Sequence, residues 1–394
     1  MAIAPFFFAK VPPIHFGTGK IEQLPSLLKS VKAHKVLIVT GGKSLEHSGN
    51  WSGIQSLLEQ NQINFERITY SGEPSTPDVD RLCQQYRSQQ IQAVVGIGGG
   101  SVIDLGKALS AMLPHQNSIF DHLEGVGKGI PHSGVKLPYI AIPTTSGTGG
   151  EVTKNAVISE VGKKGYKKSL RHNNLIPDGI IIDGNLLTSC PQHITIACGL
   201  DALTQLLEPF LSPTASPLTD ALALSGIEKV AQYFLLACGS ERNNPKVREE
   251  MAYASLCSGI CLANAGLGIV HGLASPLGGM FPIPHGVVCG TLMGMANKVT
   301  LEAMRAREPR NPALLKMSRV GRLFSKEVGK SDEYYADFLI KTLGEWIETL
   351  EVPKLSNYGV TANHLETIVK KTSNRNNPIQ LSHEEIFAIL SSRL

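Results

Sequence analysis

Two short runs limit what this chain can become. "KVLIVTGG" (35–42) and "QAVVGIGGG" (92–100) are β-branched stretches that stop at glycines, and a helix-like segment follows each. "PYIAIPTTSGTGG" (138–150) and "GIIID" (179–183) read as two further buried strands. Near-continuous apolar strands alternating with helical segments specify a parallel, doubly wound sheet, because such strands must be covered on both faces. An α/β domain over residues 1–187 is the expectation.

The texture changes at "SCPQHIT" (189–195). Stretches 198–211, 218–238, 246–265, 333–350 and 363–373 carry apolar residues at the helical period, and strand-like runs nearly vanish. An all-helical second domain is expected over 188–394. The chain has 394 residues, 42% of them hydrophobic and 18% charged, enough apolar material for two cores.

Charge and cysteine content exclude several classes. The net charge of +4 comes without long basic blocks, so no nucleic-acid partner is expected. The densest basic run, "KKGYKKSLRH" (163–172), reads as a solvated hairpin tip, with an anion site as the competing reading. Seven cysteines form no CxxC pair and read as buried free thiols of a reducing cytoplasm. "MAIAPFFFAKVPP" lacks a basic leader region, and no uninterrupted apolar run reaches the ~18 residues of a membrane span. A cytoplasmic protein without membrane contact is expected.

Chemistry concentrates in small-residue loops at strand ends. "GIGGGSVIDLGKA" (96–108) is a strand, a glycine turn and a helix start, where backbone N–H groups and the helix dipole suit a diphosphate. Ser101 offers a hydroxyl, and Asp104 lies early in the helix. A tight turn with Asp104 merely favouring the helix start is the competing reading. "PTTSGTGGE" (143–151) sets Thr144, Thr145, Ser146 and Thr148 after another strand, where open parallel sheets bind ligands. "GGKS" (41–44) imitates a P-loop ending, but the glycine required five residues before Gly42 is Leu37. That excludes a Walker NTPase.

In the helical half, Asp201 and Gln205 sit four apart in "CGLDALTQLLEP" (198–209) and face one way. "HGLASPLGGMFPIPHG" (271–286) adds His271 on a helix and His285 on a Pro-His-Gly turn. Two histidines and a carboxylate among small apolar helix segments suit zinc, iron or nickel.

"FGTGKIEQL" (16–24), "GGGSVIDLGKA" (98–108), "TTSGTGGE" (144–151), "GLDALTQLLE" (199–208) and "HGLASPLGGMFPIPHG" (271–286) occur in this order across some 270 residues. With them the chain resembles the iron-containing (group III) alcohol dehydrogenase family, whose superfamily includes glycerol dehydrogenase and dehydroquinate synthase. The resemblance implies a dinucleotide-binding domain, a helical domain and a cleft where nicotinamide meets a divalent metal, iron or zinc. Carried over by position, the metal ligands fall on Asp201, Gln205, His271 and His285. The diphosphate loop falls on Gly98, Gly99, Gly100 and Ser101, and the nicotinamide side on Thr144, Thr145, Thr148 and Lys167. The implied reaction moves hydride between NADP or NAD and a small alcohol or aldehyde. Relatives pair through N-terminal strands, so "PFFFAKVPPIHFG" (5–17) is the expected homodimer edge.

Two positions depart from the family. Gln205 stands where a histidine ligand is usual, which keeps an oxygen donor but weakens the site. Ser275 stands where a proton-relay histidine is common, and a hydroxyl holds no proton near neutral pH. A lyase of the dehydroquinate synthase type and a nucleotide-binding homologue impaired in catalysis are the alternatives. At the end of the first strand, Gly41, Gly42, Lys43 and Ser44 replace the acid that would bind an adenosine ribose. Room, a hydroxyl and a cation there favour a 2′-phosphate, hence NADP.

Overall fold

The computed structural model describes residues 3–162 and 165–394. Its first half holds strands β1 (Ile14–Phe16), β2 (Lys35–Gly41), β3 (Asn64–Tyr70), β4 (Ala93–Gly98), β5 (Tyr139–Pro143), β6 (Asn155–Glu160), β7 (Tyr166–Arg171) and β8 (Gly179–Ile182). Six form one sheet in the order β1-β8-β5-β4-β2-β3, with every neighbouring pair parallel. β6 and β7 make a separate antiparallel hairpin. The helices of this half are α1 (Leu24–Ser30), α2 (Ser44–His47), α3 (Asn50–Gln60), α4 (Thr76–Tyr86), α5 (Gly100–Met112) and α6 (Gly184–Leu187).

The strand alternation is written in the two cores that flank the sheet. Leu37, Val39, Val94, Tyr139 and Ala141 enter one, while Val36, Ile38, Val95, Ile140 and Ile142 enter the other. Each side chain fully removed from water contributes roughly 1.5–3 kcal/mol, which favours covering both faces. The expected parallel α/β architecture is present. β3, absent from the expectation, is an edge strand whose "NFERITY" is only partly buried, so its apolar signal is diluted.

The second half is helical: α7 (Gln192–Leu211), α8 (Pro217–Cys238), α9 (Pro245–Ala265), α10 (Ile269–Met280), α11 (His285–Arg307), α12 (Pro312–Phe324), α13 (Asp332–Thr349), α14 (Ala362–Lys371) and α15 (His383–Ser391). Several begin with Ser, Thr or Asn caps. Ser216 and Thr219 form a reciprocal capping box ahead of Pro217 at the start of α8. α7 and α8 are each long and apolar enough to cross a membrane, with mean hydropathy 1.3 over their best windows. α7 spends that surface on the core of this domain, where 78% of its window is buried.

In the segment 5–17 the strand is Ile14–Phe16; Phe8 and Val11 pack beside the joint between the domains, while Phe6 and Phe7 stay exposed. One local expectation needs correction. The basic run is not a solvated tip throughout. Lys163 and Lys164 lie outside the described residues, and Lys167, inside β7, is partly buried beside Gly278 with its ammonium 3.0 Å from Glu73.

Candidate active site

β2 pairs with β3 on one side and β4 on the other, so the winding of the sheet reverses between β2 and β4. Such a reversal leaves a crevice beyond the C-terminal strand ends. Here it is a cleft of about 310 Å³ lined by Gly41, Gly42, Lys43, Ser44, Gly98, Gly99, Thr144 and Thr145. Leu186, Cys190, Pro191 and Ile194 close its far side.

Glycine is needed at the turn into α5 for space. A Cβ on Gly98 would lie 2.6 Å from the Val102 Cβ, so a side chain there would drive the helix off the strand. The Gly99 carbonyl accepts from Val102 and Ile103, leaving the N–H groups of Gly100 and Ser101 ahead of the first helical bond. The positive end of α5 therefore borders the cleft, as an anion requires.

Asp104 does not line this cleft. It lies beneath the β6–β7 hairpin, where burial pushes its carboxyl up to about 7 against the pull of Lys107. Lys107 is itself buried, and its ammonium donates to the carbonyls of Gly150 (2.7 Å), Thr153 (2.8 Å) and Asn155 (2.8 Å). This bracing fixes the loop that carries Thr144, Thr145 and Thr148. The same loop meets the helical domain at Gly149 (φ 59°), where a Cβ would come within 2.5 Å of the Ser255 carbonyl and 2.6 Å of Gly259. Lys167, like Asp104, is outside the strand-end cleft.

The helical domain contributes a compact polar cluster. Asp201 and Gln205 stand one turn apart on α7, His271 opens α10, and His285 begins α11. Asp201 Oδ1 lies 3.4 Å from His271 Nε2 and 3.7 Å from His285 Nε2. Cys289, one turn after His285, places Sγ 3.6 Å from His271 Nε2 and 3.8 Å from His285 Nε2. One ligand atom from each of these four residues lies within 4.8 Å of the others. Burial raises the Asp201 carboxyl, but His285 and His271 outweigh it and hold the group below the ordinary range. Burial alone would lower His271; Cys289, Glu208 and Asp201 instead hold its imidazolium well above the usual value. Burial pushes His285 down to about 4 and Cys289 up to about 12.

These residues fit a divalent ion. Asp201 Oδ1 is buried without a hydrogen-bond partner, a costly state for a carboxylate oxygen unless a cation faces it. Gln205 is committed differently: its amide nitrogen donates to the Thr148 carbonyl (2.6 Å) and the Ser258 hydroxyl (2.9 Å). Ser275 is exposed on α10.

Two members of this constellation escaped the sequence reading. Cys289 reads as one of seven buried free thiols, although its i, i+4 spacing from His285 puts both on one face of a helix. Glu208, seven residues after Asp201, shares the polar stripe of α7 and accepts from His271.

Comparison with known proteins settles the kinship. Residues 12–184 match the profile of iron-containing alcohol dehydrogenase, and residues 195–394 match the C-terminal profile of the Fe-containing alcohol dehydrogenase family. The chain belongs to the iron-containing alcohol dehydrogenase family. Alcohol dehydrogenase 4 of Saccharomyces cerevisiae is 31% identical over 96% of both chains. The NADPH-dependent butanol dehydrogenase of Clostridium saccharobutylicum is 29% identical, over 95% of this chain and 94% of its own. A solved 1,3-propanediol oxidoreductase superposes with a TM-score of 0.87 at 27% identity, covering 99% of this chain and all of that one. Membership in the iron-containing alcohol dehydrogenases implies NAD(P) and a divalent metal.

Proposed function

We propose that this protein transfers hydride between NADPH or NADH and a small aldehyde or alcohol, with the Asp201–His271–His285 cluster holding a divalent ion. One observation carries the reading. The loop that lines the strand-end cleft at Thr144 and Thr145 is tied, through the Thr148 carbonyl, to Gln205 on the helix that presents Asp201. The diphosphate end of the cofactor would lie on Gly98, Gly99, Gly100 and Ser101, and its nicotinamide end would point toward the cluster.

A divalent ion held there supplies Lewis-acid polarisation of the substrate oxygen. The chain's own part is orientation: the braced 144–151 loop fixes the nicotinamide side, and Glu208 fixes the His271 ring. His285 is the most accessible member of the cluster, with a quarter of its side chain exposed. Substrate approach from that side agrees with this. Exposed Ser275 leaves water to carry the alkoxide proton, since a hydroxyl does not store one near neutral pH.

NADP is the favoured cofactor. Gly41 brings no carboxylate against a 2′-phosphate, Lys43 and Ser44 line the cleft beside it, and the clostridial relative is named for NADPH. The seven free thiols agree with a cytoplasmic location, and the exposed Phe6 and Phe7 beside edge strand β1 agree with a homodimer. A panel of aldehydes with NADPH or NADH, with and without added ferrous iron or zinc, tests the activity. Oxidised nicotinamide should accumulate one for one with alcohol; none across the panel would overturn the reading.

A further inference from the structure

Gln205 occupies the position of a histidine ligand, and its amide nitrogen is held by two acceptors outside the cluster. The Thr148 carbonyl can only accept, so the 2.6 Å contact turns the NH2 end of the amide toward it. Ser258 takes the second N–H at 2.9 Å. Meanwhile Cys289, fully buried, meets both imidazoles of the cluster through its sulfur.

We propose that Cys289 Sγ, rather than the Gln205 amide, is the fourth protein ligand of the ion, making an Asp–His–His–Cys site that prefers zinc to ferrous iron. The proposal rests on the reading that a divalent ion occupies this cluster. Bonds of about 2.0–2.2 Å to nitrogen and oxygen and about 2.3 Å to sulfur give a tetrahedron with edges of about 3.3–3.6 Å, and such an ion can add the substrate oxygen as a fifth ligand. Four of the six separations, 3.4, 3.7, 3.6 and 3.8 Å, lie close to those edges, and all six fall within 4.8 Å before any ion draws the groups together. α11 supplies His285 and Cys289 from one face, so no backbone shift is needed to bring both to one centre.

The chemistry of the donor set follows. As the metal–sulfur bond forms, the thiol proton leaves to solvent. Carboxylate and thiolate together then cancel the ion's two charges, where a three-histidine set would leave one uncancelled. Thiolate is a soft donor and selects zinc among the metals that imidazole and carboxylate accept.

X-ray absorption on the zinc-loaded full-length protein reads the ligand directly: one sulfur at about 2.3 Å is expected. A shell of nitrogen and oxygen alone, or failure to retain any zinc, would overturn the proposal. Cobalt substitution gives a second readout. The unaltered protein should show a near-ultraviolet thiolate-to-cobalt band, which Cys289→Ser abolishes while Gln205→Ala and Cys198→Ser retain it. Persistence of the band in Cys289→Ser would equally refute it. Zinc affinity of Cys289→Ser should fall at least about tenfold, the smaller end of what outer-shell losses cost; undiminished affinity counts against the proposal. Aldehyde reduction by NADPH is scored separately, so an active enzyme with a sulfur-free metal shell defeats this inference and leaves the hydride-transfer reading standing.

Discussion

Glu208 holds His271 from behind: its Oε2 lies 2.6 Å from His271 Nδ1, while its Oε1 accepts the Val270 N–H at 2.7 Å. One carboxylate thus fixes both the imidazole and the first turn of α10, and Nε2 is left facing Asp201. A carboxylate behind a ligating histidine sets its tautomer and raises its basicity. Glu208→Gln keeps the shape and removes the charge. It should lower zinc affinity by about 10–100-fold, as titration against a chelating dye would show. Unchanged affinity would mean the cluster is not a metal site organised through His271.

Cofactor choice is the second test. A Cβ on Gly41 meets nothing closer than Val102 at 3.8 Å, so a side chain fits there. Gly41→Asp should shift the ratio of kcat/KM for NADPH over NADH toward NADH by at least about tenfold, roughly 1.4 kcal/mol. A strong NADH preference in the unaltered protein would remove the argument from the Gly41–Ser44 turn.

Restoring the family's histidine has a cost that can be measured. Gln205→His forfeits the amide bonds to Thr148 and Ser258. Leaving buried groups unpaired costs about 1–3 kcal/mol each, so the metal-free variant should melt at a lower temperature. Zinc should return that loss, and metal content by elemental analysis should rise. A variant as stable as the original without metal would show that the two hydrogen bonds contribute little.

Acid stability offers a test away from the site. His132 is buried beside His115, His122 and His172, and burial holds it down to about 4. An unfolded histidine titrates near ~6.5, so the unfolded chain takes up the proton first as pH falls. Stability from this residue is complete above that value, declines as pH drops toward about 4, and then levels off. His132→Gln should narrow its melting-temperature deficit against the original between pH 7 and pH 5 (arbitrary test points at about the two ends of the window). A deficit that stays constant would assign the acid response to other groups.

The N-terminal edge can be tested by truncation. β1 ends the sheet, and the residues before it leave Phe6 and Phe7 exposed. Removing residues 1–12 should halve the mass seen by light scattering if that edge joins two copies. An unchanged mass would place any interface elsewhere.

The fold was legible wherever a strand is buried on both faces. β2, β4, β5 and β8 announce themselves because both alternating sets of side chains are apolar, and each is followed by a glycine or small-residue turn. β3 was silent because an edge strand keeps polar residues, and β1 because three residues carry no period. The strand-end cleft gathered Gly41–Ser44, Gly98, Gly99, Thr144 and Thr145 as expected from their place at strand ends. Asp104 and Lys167 lie outside that cleft: Asp104 faces Lys107 one turn along α5, and Lys167 reaches across from β7 to Glu73, a pairing that no local pattern encodes. Cys289 was hidden by its apolar neighbours, since burial alone does not distinguish a packing thiol from one beside two imidazoles.

Gly149 and Gly259 meet with no side chain between them. Most joints between domains can yield, because rotamers on either side turn and absorb a slide. At this one backbone contact there is no such cushion, while Val152, Leu256 and Ile260 pack around it. The two glycines are the pin of the joint. A single methyl group, in Gly149→Ala or Gly259→Ala, would act as a wedge at that pin, and the cost would appear in how nicotinamide and substrate line up rather than in any group that touches either.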